Sequence, residues 1–72
     1  MIRFDGPALF AALDAARQTR GLTWTEAARQ TGVSLATIKR LQSPGRMEID
    51  GVLALTSWLG SPVEDFARRT II

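Results

Sequence analysis

Residues 23–42, TWTEAARQTGVSLATIKRLQ, decide the fold, because they carry start and stop signals for two consecutive helices. Thr23 and Glu26 fit the S/T-x-x-E capping box, in which each side chain accepts a hydrogen bond from the other residue's amide. Gly32 stands where a helix end favours positive φ, and Ser34 is a good N-cap for the next helix. Two helices joined by a turn of three or four residues that contains glycine form the helix-turn-helix pattern. We therefore expect this motif at the centre of the chain.

Size and composition narrow the class of protein. A chain of 72 residues is one domain with a small core, which oligomerisation commonly supports. The hydrophobic fraction of 46% is ordinary for a globular domain and argues against disorder. Cysteine and histidine are both absent, which removes disulfides, thiolate zinc sites and the commonest general base. No P-loop, glycine fingerprint or metal-ligand cluster is readable. We expect a protein that is not an enzyme and has no metal or cofactor.

The sequence carries no signal for a membrane or for secretion. No apolar run approaches the roughly 18 residues of a membrane span. The first residues, MIRFDGP, lack the charged and apolar regions of a signal peptide. We therefore expect a cytoplasmic protein without a membrane partner.

Positive charge is concentrated in the middle of the chain. Residues 17–46 hold six basic residues against one acidic residue, a net charge of +5. Residues 1–16 carry a net charge of −1, and residues 47–72 carry −2. This distribution indicates an anionic partner for the middle only. A solvated basic surface gives the same pattern, so both interpretations stay open at this point.

Three further helices are predicted around the central pair. The first follows an Asp5 or Gly6 cap, the fourth follows an Asp50 cap, and the fifth follows a Ser61 cap. Residues 1–5 lack a helical period and form either a short strand or a segment packed under the C-terminus. Apart from that segment, we expect no strand of consequence in a compact all-α, five-helix domain over residues 1–72. The predicted helices span about residues 7–20, 24–31, 34–42, 51–59 and 62–69.

The third predicted helix has a buried side and an exposed side when it is drawn at about 100° per residue. Ile38 and Leu41 define the buried side. Leu35 lies at the edge of the opposite side, which carries Ala36, Lys39 and Arg40. This helix is therefore predicted to expose two cations beside small and apolar residues.

The run GLTWTEAARQTGVSLATIKRLQSPGR and the later run VLALTSWLGSPVEDF together resemble the lambda-repressor-like helix-turn-helix family, also called XRE or Cro/C1-type regulators. The resemblance covers about residues 8–67. The matching features are Ala28, the turn Gly32-Val33-Ser34, Ile38 with Leu41, and Leu59-Gly60. It implies a sequence-specific DNA-binding transcriptional regulator, a small Cro-like repressor that binds a pseudo-palindromic operator as a dimer. It also implies double-stranded DNA as partner and a nucleoid-associated place in the cytoplasm, with no small-molecule ligand.

The resemblance implies a role for individual residues, because in this family the third helix lies in the DNA major groove. Arg40 would bind a guanine edge bidentately, and Leu35 or Ala36 would contact a thymine methyl group. Lys39 would reach either a base or a phosphate. The implied base-reading residues are Leu35, Ala36, Lys39 and Arg40. The implied contacts to the DNA backbone are Trp24, Thr25, Ser34, Ser43 and Arg46. For Trp24, a place in the core is the competing interpretation.

A dimer of this family would hold two third helices roughly 34–36 Å apart, about one turn of DNA. The acidic and apolar C-terminal part is the best candidate for the dimer surface, because it should not touch DNA. The candidate interface residues are Val63, Phe66, Ile71 and Ile72. Ile71 and Ile72 are equally well read as a frayed end.

A protein-interaction module on the same fold, such as an antitoxin-like partner or an adaptor, is the alternative hypothesis. The Leu35 and Ala36 surface supports it, because this surface is less polar than a reader of DNA needs.

Overall fold

A computed structural model of the chain describes residues 2–43 and 47–69. That part is mostly helical, as predicted, with four α-helices, one short 3-10 turn and a two-stranded sheet. The helices are α1 (Gly6–Thr19), α2 (Trp24–Thr31), α3 (Leu35–Arg40) and α4 (Ile49–Leu59). The strands are β1 (Ile2–Phe4) and β2 (Ala67–Arg69), and the 3-10 turn spans Val63–Phe66. No helix in the described residues is both long and apolar enough to cross a bilayer.

The predicted fifth helix over residues 62–69 is wrong. The chain makes one 3-10 turn over Val63–Phe66 and then continues as strand β2. The predicted Ser61 cap is wrong as well, since the turn follows Pro62 without a side-chain capping bond. The reason is a tertiary partner: the Asp5 amide donates to the Phe66 carbonyl oxygen at 2.7 Å, and β1 pairs with the residues beyond it. Backbone groups that a further helical turn would satisfy are satisfied by the N-terminal segment instead.

Strands β1 and β2 form an antiparallel ribbon, which replaces the all-helical layout expected from the sequence. Its register pairs Ile2 with Arg69, Arg3 with Arg68, and Phe4 with Ala67. Of the two conformations left open for this N-terminal segment, a short strand forms over Ile2–Phe4. Every residue of β1 is exposed to solvent.

Local capping signals account for the starts of three helices. The Asp5 carboxylate accepts from the Ala8 amide at 3.0 Å and starts α1. The capping box of α2 is confirmed, with Thr23 Oγ1 accepting from the Glu26 amide at 3.1 Å and Glu26 Oε1 accepting from the Thr23 amide at 3.0 Å. Ser34 caps α3 by accepting from the Thr37 amide at 3.2 Å.

The start of α4 differs from the prediction. Asp50 does not cap this helix; it lies inside the first turn, two residues after Glu48, which occupies the N-cap position. Glu48 makes no side-chain capping bond. A carboxylate in the first turn still interacts favourably with the positive end of the helix dipole, so Asp50 supports the helix without capping it.

The core lies between α1, α3, α4 and the 3-10 turn. The side chains that are most completely buried are those of Leu9, Leu13, Ile38 and Leu55. The hydroxyl of Thr56 is buried among them and donates to the Val52 carbonyl oxygen at 3.0 Å, so it carries no unpaired donor. The inner side of α3 packs into this core through Ile38, and the opposite side of α3 faces solvent.

A close backbone contact joins the start of α1 to the end of α3. Gly6 is buried, and a Cβ placed on it would lie 2.6 Å from the carbonyl oxygen of Leu41. Heavy atoms cannot approach so closely, so glycine is required at this position. The contact places the root of the β1–β2 ribbon beside the C-terminal end of α3.

Candidate nucleic-acid interface

Helix α3 has the two sides that the sequence predicts. Ile38 and Leu41 are buried, while Ala36, Lys39 and Arg40 are exposed. Leu35 is half-buried at the edge between the two sides. The exposed side therefore brings two cations and one methyl group to the surface, and Leu35 offers only part of its side chain.

The helix is shorter than the predicted span of residues 34–42. After Arg40 the backbone tightens, with the amides of Leu41, Gln42 and Ser43 bonded to the carbonyls of Ile38, Lys39 and Arg40. These bonds link residues three apart, as in the 3-10 conformation that often ends an α-helix. Ser43 is exposed just beyond this turn. Arg46, the other predicted backbone contact in this loop, lies outside the described residues.

Two basic residues of the central stretch are engaged within the protein. Arg17 Nη2 lies 2.7 Å from Asp14 Oδ1, and Arg17 Nη1 donates to the Leu22 carbonyl oxygen at 2.9 Å. Arg20 Nη2 donates to the Trp58 carbonyl oxygen at 3.1 Å, and its guanidinium lies 4.2 Å from the centre of the Trp58 ring. Both arginines therefore stabilise the junction of α1 with the elements around it.

The remaining described cations of that stretch lie on α2 and α3. Arg29, Lys39 and Arg40 are exposed. Within residues 2–43 and 47–69 the ion pairs are Arg17 with Asp14 and Arg68 with Asp5, so these three side chains have no acidic partner there. Of the described cations in this central stretch, those not engaged within the protein therefore lie on the helix-turn-helix pair.

Trp24 packs against the protein body. Its ring stacks on the Phe10 ring with centroids 5.1 Å apart. The Arg17 guanidinium carbon lies over the Trp24 ring, 4.9 Å from the ring centre. The ring is half-buried and touches the hydrophobic core. This packing supports the core interpretation of Trp24, while its contact with a DNA phosphate stays a prediction.

The N-terminus of α2 is less suited to a phosphate than the sequence suggests. The backbone hydrogen bond from Thr23 to the Glu26 carboxylate holds the pKa of Glu26 below its usual value, and the Thr23 hydroxyl lowers that pKa further. Glu26 is therefore ionised at neutral pH and places a negative charge at this helix end. The capping box also uses the amides of Thr23 and Glu26. A phosphate near Trp24 and the exposed Thr25 would meet this charge.

Nothing in the sequence points to the polar link between α2 and α4. The indole Nε1 of Trp58 donates to Gln30 Oε1 at 3.0 Å. The Arg20 guanidinium lies over the face of the same ring. The residues that form this link are far apart in the chain, so no local spacing reveals it. It holds α2 against α4 and α1, and thereby helps to orient the helix-turn-helix pair.

The predicted dimer residues lie in different environments. Phe66 is only 7% exposed and belongs to the core of its own chain, so it has little surface for a second copy. Val63 is half-buried and lines a shallow apolar groove with Ile2 and Phe4. Ile71 and Ile72 lie outside the described residues. The interface through Val63, Phe66, Ile71 and Ile72 stays a prediction, with more free surface at Val63 than at Phe66.

No protein-family model, no curated protein and no solved structure matches this chain. Among the described residues, no three acidic side chains gather where they would hold a metal ion.

Proposed function

We propose that the chain is a sequence-specific DNA-binding transcriptional regulator, a small Cro-like repressor that binds a pseudo-palindromic operator as a dimer. The observation that carries the proposal is the exposed side of α3. It presents Lys39 and Arg40 without internal acidic partners among the described residues, and it follows α2 across a tight glycine turn. The resemblance to lambda-repressor-like regulators supports the same function. Such a protein works in the cytoplasm at the nucleoid, without a cofactor.

The proposed roles on α3 are those that the resemblance implies, and the exposed side chains of α3 have the chemistry for them. Arg40 binds the O6 and N7 atoms of a guanine, and Ala36 contacts a thymine methyl group. Lys39 contacts a base or a phosphate, and Leu35 contributes only the exposed part of its side chain. The Ser34 hydroxyl caps α3 and lies 2.7 Å from Thr37 Oγ1, so its role toward DNA is secondary to its role in the helix.

Replacing Arg40 by alanine tests the base-reading role. We expect the variant to lose about 1–3 kcal/mol of affinity for the operator and to relax discrimination at one base pair. The operator is first selected from random DNA. Titrations of the wild type and the variant against operator and random duplexes then measure the loss of affinity and of discrimination. Arg40→Lys is the matched control, because lysine keeps the positive charge but lacks the paired donors of arginine; it should keep the affinity for random DNA while discrimination relaxes. Equal loss on operator and random DNA would contradict base reading by Arg40.

Replacing Glu26 by glutamine tests the orientation of α2. Glutamine retains the capping box, so the helix start should stay intact while one negative charge disappears. If a phosphate approaches this helix end, affinity for any duplex should rise by about two- to five-fold at low salt, in line with about 0.3–1 kcal/mol for a charge at a helix end. Glu48→Gln removes an equal charge from an exposed residue that makes no capping bond. Unchanged affinity in Glu26→Gln would place the phosphates elsewhere.

A second candidate, a protein-interaction module of the antitoxin or adaptor kind, is favoured by two apolar residues on α4. Ile49 and Leu53 are 62% and 49% exposed and lie one turn apart on the same side of the helix. A gel-shift titration at two salt concentrations separates the candidates, because phosphate contacts weaken steeply with salt. A dimeric protein that binds no DNA at low salt would exclude the first candidate.

A further inference from the structure

Two arginines stand side by side on the β1–β2 ribbon. Arg3 is the cross-strand partner of Arg68 in the antiparallel register. Directly opposed residues project from the same face of a sheet with Cβ atoms about 4.5–5.5 Å apart, where like charges destabilise the pairing. Both residues are exposed, with 76% of the Arg68 side chain accessible to solvent. The ribbon therefore holds two positive charges in an arrangement that works against its own pairing.

The nearby acids do not balance this pair. Asp5 Oδ2 lies 3.4 Å from Arg68 Nε, while its Oδ1 caps α1 by accepting from the Ala8 amide. Glu64 borders the same groove as Arg3, yet the two form no ion pair among the described residues. Among the described residues, Arg68 thus has one carboxylate partner and Arg3 has none, so the pair can accept a further anion.

The ribbon leaves the protein body beside the end of α3. At its root the Asp5 amide donates to Phe66, and the next residue, Gly6, rests against the carbonyl oxygen of Leu41. Three residues of chain span at most roughly 10 Å. Arg3 therefore lies within that distance of Gly6 and close to the helix proposed to enter the major groove.

We propose that Arg3 and Arg68 together bind a phosphate of the DNA backbone next to the segment that α3 contacts. This proposal rests on the DNA-binding function proposed above and adds a contact outside the helix-turn-helix. Guanidinium groups bind phosphate oxygens through paired N–H donors, and the bound anion offsets the repulsion between the two side chains. Such a contact positions the protein on the duplex and reads no bases.

The test measures DNA affinity against salt for the double variant Arg3→Ala, Arg68→Ala. The probe is a fluorescein-labelled duplex of random sequence, roughly 30 base pairs or three helical turns long. It is titrated between about 50 and 200 mM salt. We expect the slope of log affinity on log salt to shrink by about 1–2 and affinity at the lower salt to fall about tenfold. The charge-retaining double variant Arg3→Lys, Arg68→Lys should keep most of the slope.

Two controls separate a phosphate contact from loss of structure. Ala15→Glu lowers the net charge by one at an exposed position of α1, roughly 14 Å from Gly6 along the helix, and should leave the slope unchanged. Thermal melting without DNA should give the double alanine variant an unchanged or raised Tm. A like-charge pair disappears, and the lost Arg68–Asp5 contact is long at 3.4 Å with its arginine 76% exposed, so it contributes little.

The outcomes distinguish this site from the proposed function. A wild-type protein that binds the duplex while the double alanine variant keeps its slope excludes the ribbon site and leaves the proposed function intact. A wild-type protein that binds no DNA at the lower salt overturns both. A lowered Tm together with weaker binding would assign the arginines a structural role and overturn the site.

Discussion

Replacing Leu55 by alanine is expected to leave much of the protein unfolded at room temperature. Leu55 is 0% exposed and packs from α4 into the cluster that contains Leu9, Leu13 and Ile38. Truncating a fully buried leucine costs about 2–5 kcal/mol, because transfer free energy is lost and a cavity remains. A core of this size rarely supplies more than about 3–5 kcal/mol in total. Urea denaturation followed by circular dichroism measures the loss.

Leu53→Ala is the matched control for this prediction. It is the same substitution on the same helix, two residues away, at a side chain that is 49% exposed. We expect a cost of less than about 1 kcal/mol there, since little apolar surface returns to water. Equal effects of the two substitutions would contradict the packing of α4 on α1.

Replacing Gly6 by alanine is expected to destabilise the protein by about 1–3 kcal/mol, the usual cost of overpacking. The new methyl group would meet the Leu41 carbonyl oxygen at 2.6 Å, and a backbone oxygen cannot rotate away as a side chain can. α1 and the end of α3 must therefore separate. Because α3 carries the proposed base contacts, we also expect weaker operator binding. Thermal melting and a DNA titration of the same preparation measure both effects.

Gly51→Ala provides the control for the glycine substitution. Gly51 lies in α4, and its added methyl group would meet Met47 Cε at 3.1 Å, the end of a flexible side chain. Alanine is also the better helix former by about 1 kcal/mol. We expect this variant to be as stable as the wild type or more stable. A Gly6→Ala variant with equal stability would show that the contact with Leu41 is not close.

Helix starts that depend on neighbouring residues were readable from the sequence. The capping box of Thr23 and Glu26, the Ser34 cap and the turn at Gly32 all use hydrogen bonds or backbone angles within a few residues. The buried and exposed sides of α3 followed from helical geometry alone. Local interactions of this kind need no partner from elsewhere in the chain, so their residue spacing predicts them.

The C-terminal segment shows where such local signals fail. Pro62, Glu64 and Asp65 favour a helix start by their own chemistry. The segment nevertheless completes one 3-10 turn and then pairs with β1, because the N-terminal backbone offers hydrogen bonds to it. The same limit applies to the candidate site, where packing on Phe10 and Arg17 holds Trp24 and the core encloses Phe66.

By itself, the sequence determined the helix-turn-helix pair and the cations on its outer side. Those features depend on capping, helical periodicity and charge, all of which act between residues close together in the chain. Only the tertiary structure decided that β1 meets β2, that Gly6 touches Leu41 and that Arg3 stands opposite Arg68. These contacts join distant segments, and their geometry depends on how all the elements pack at once. The exposed side of α3 was thus readable from residue order, whereas the proposed phosphate site on the ribbon required the fold.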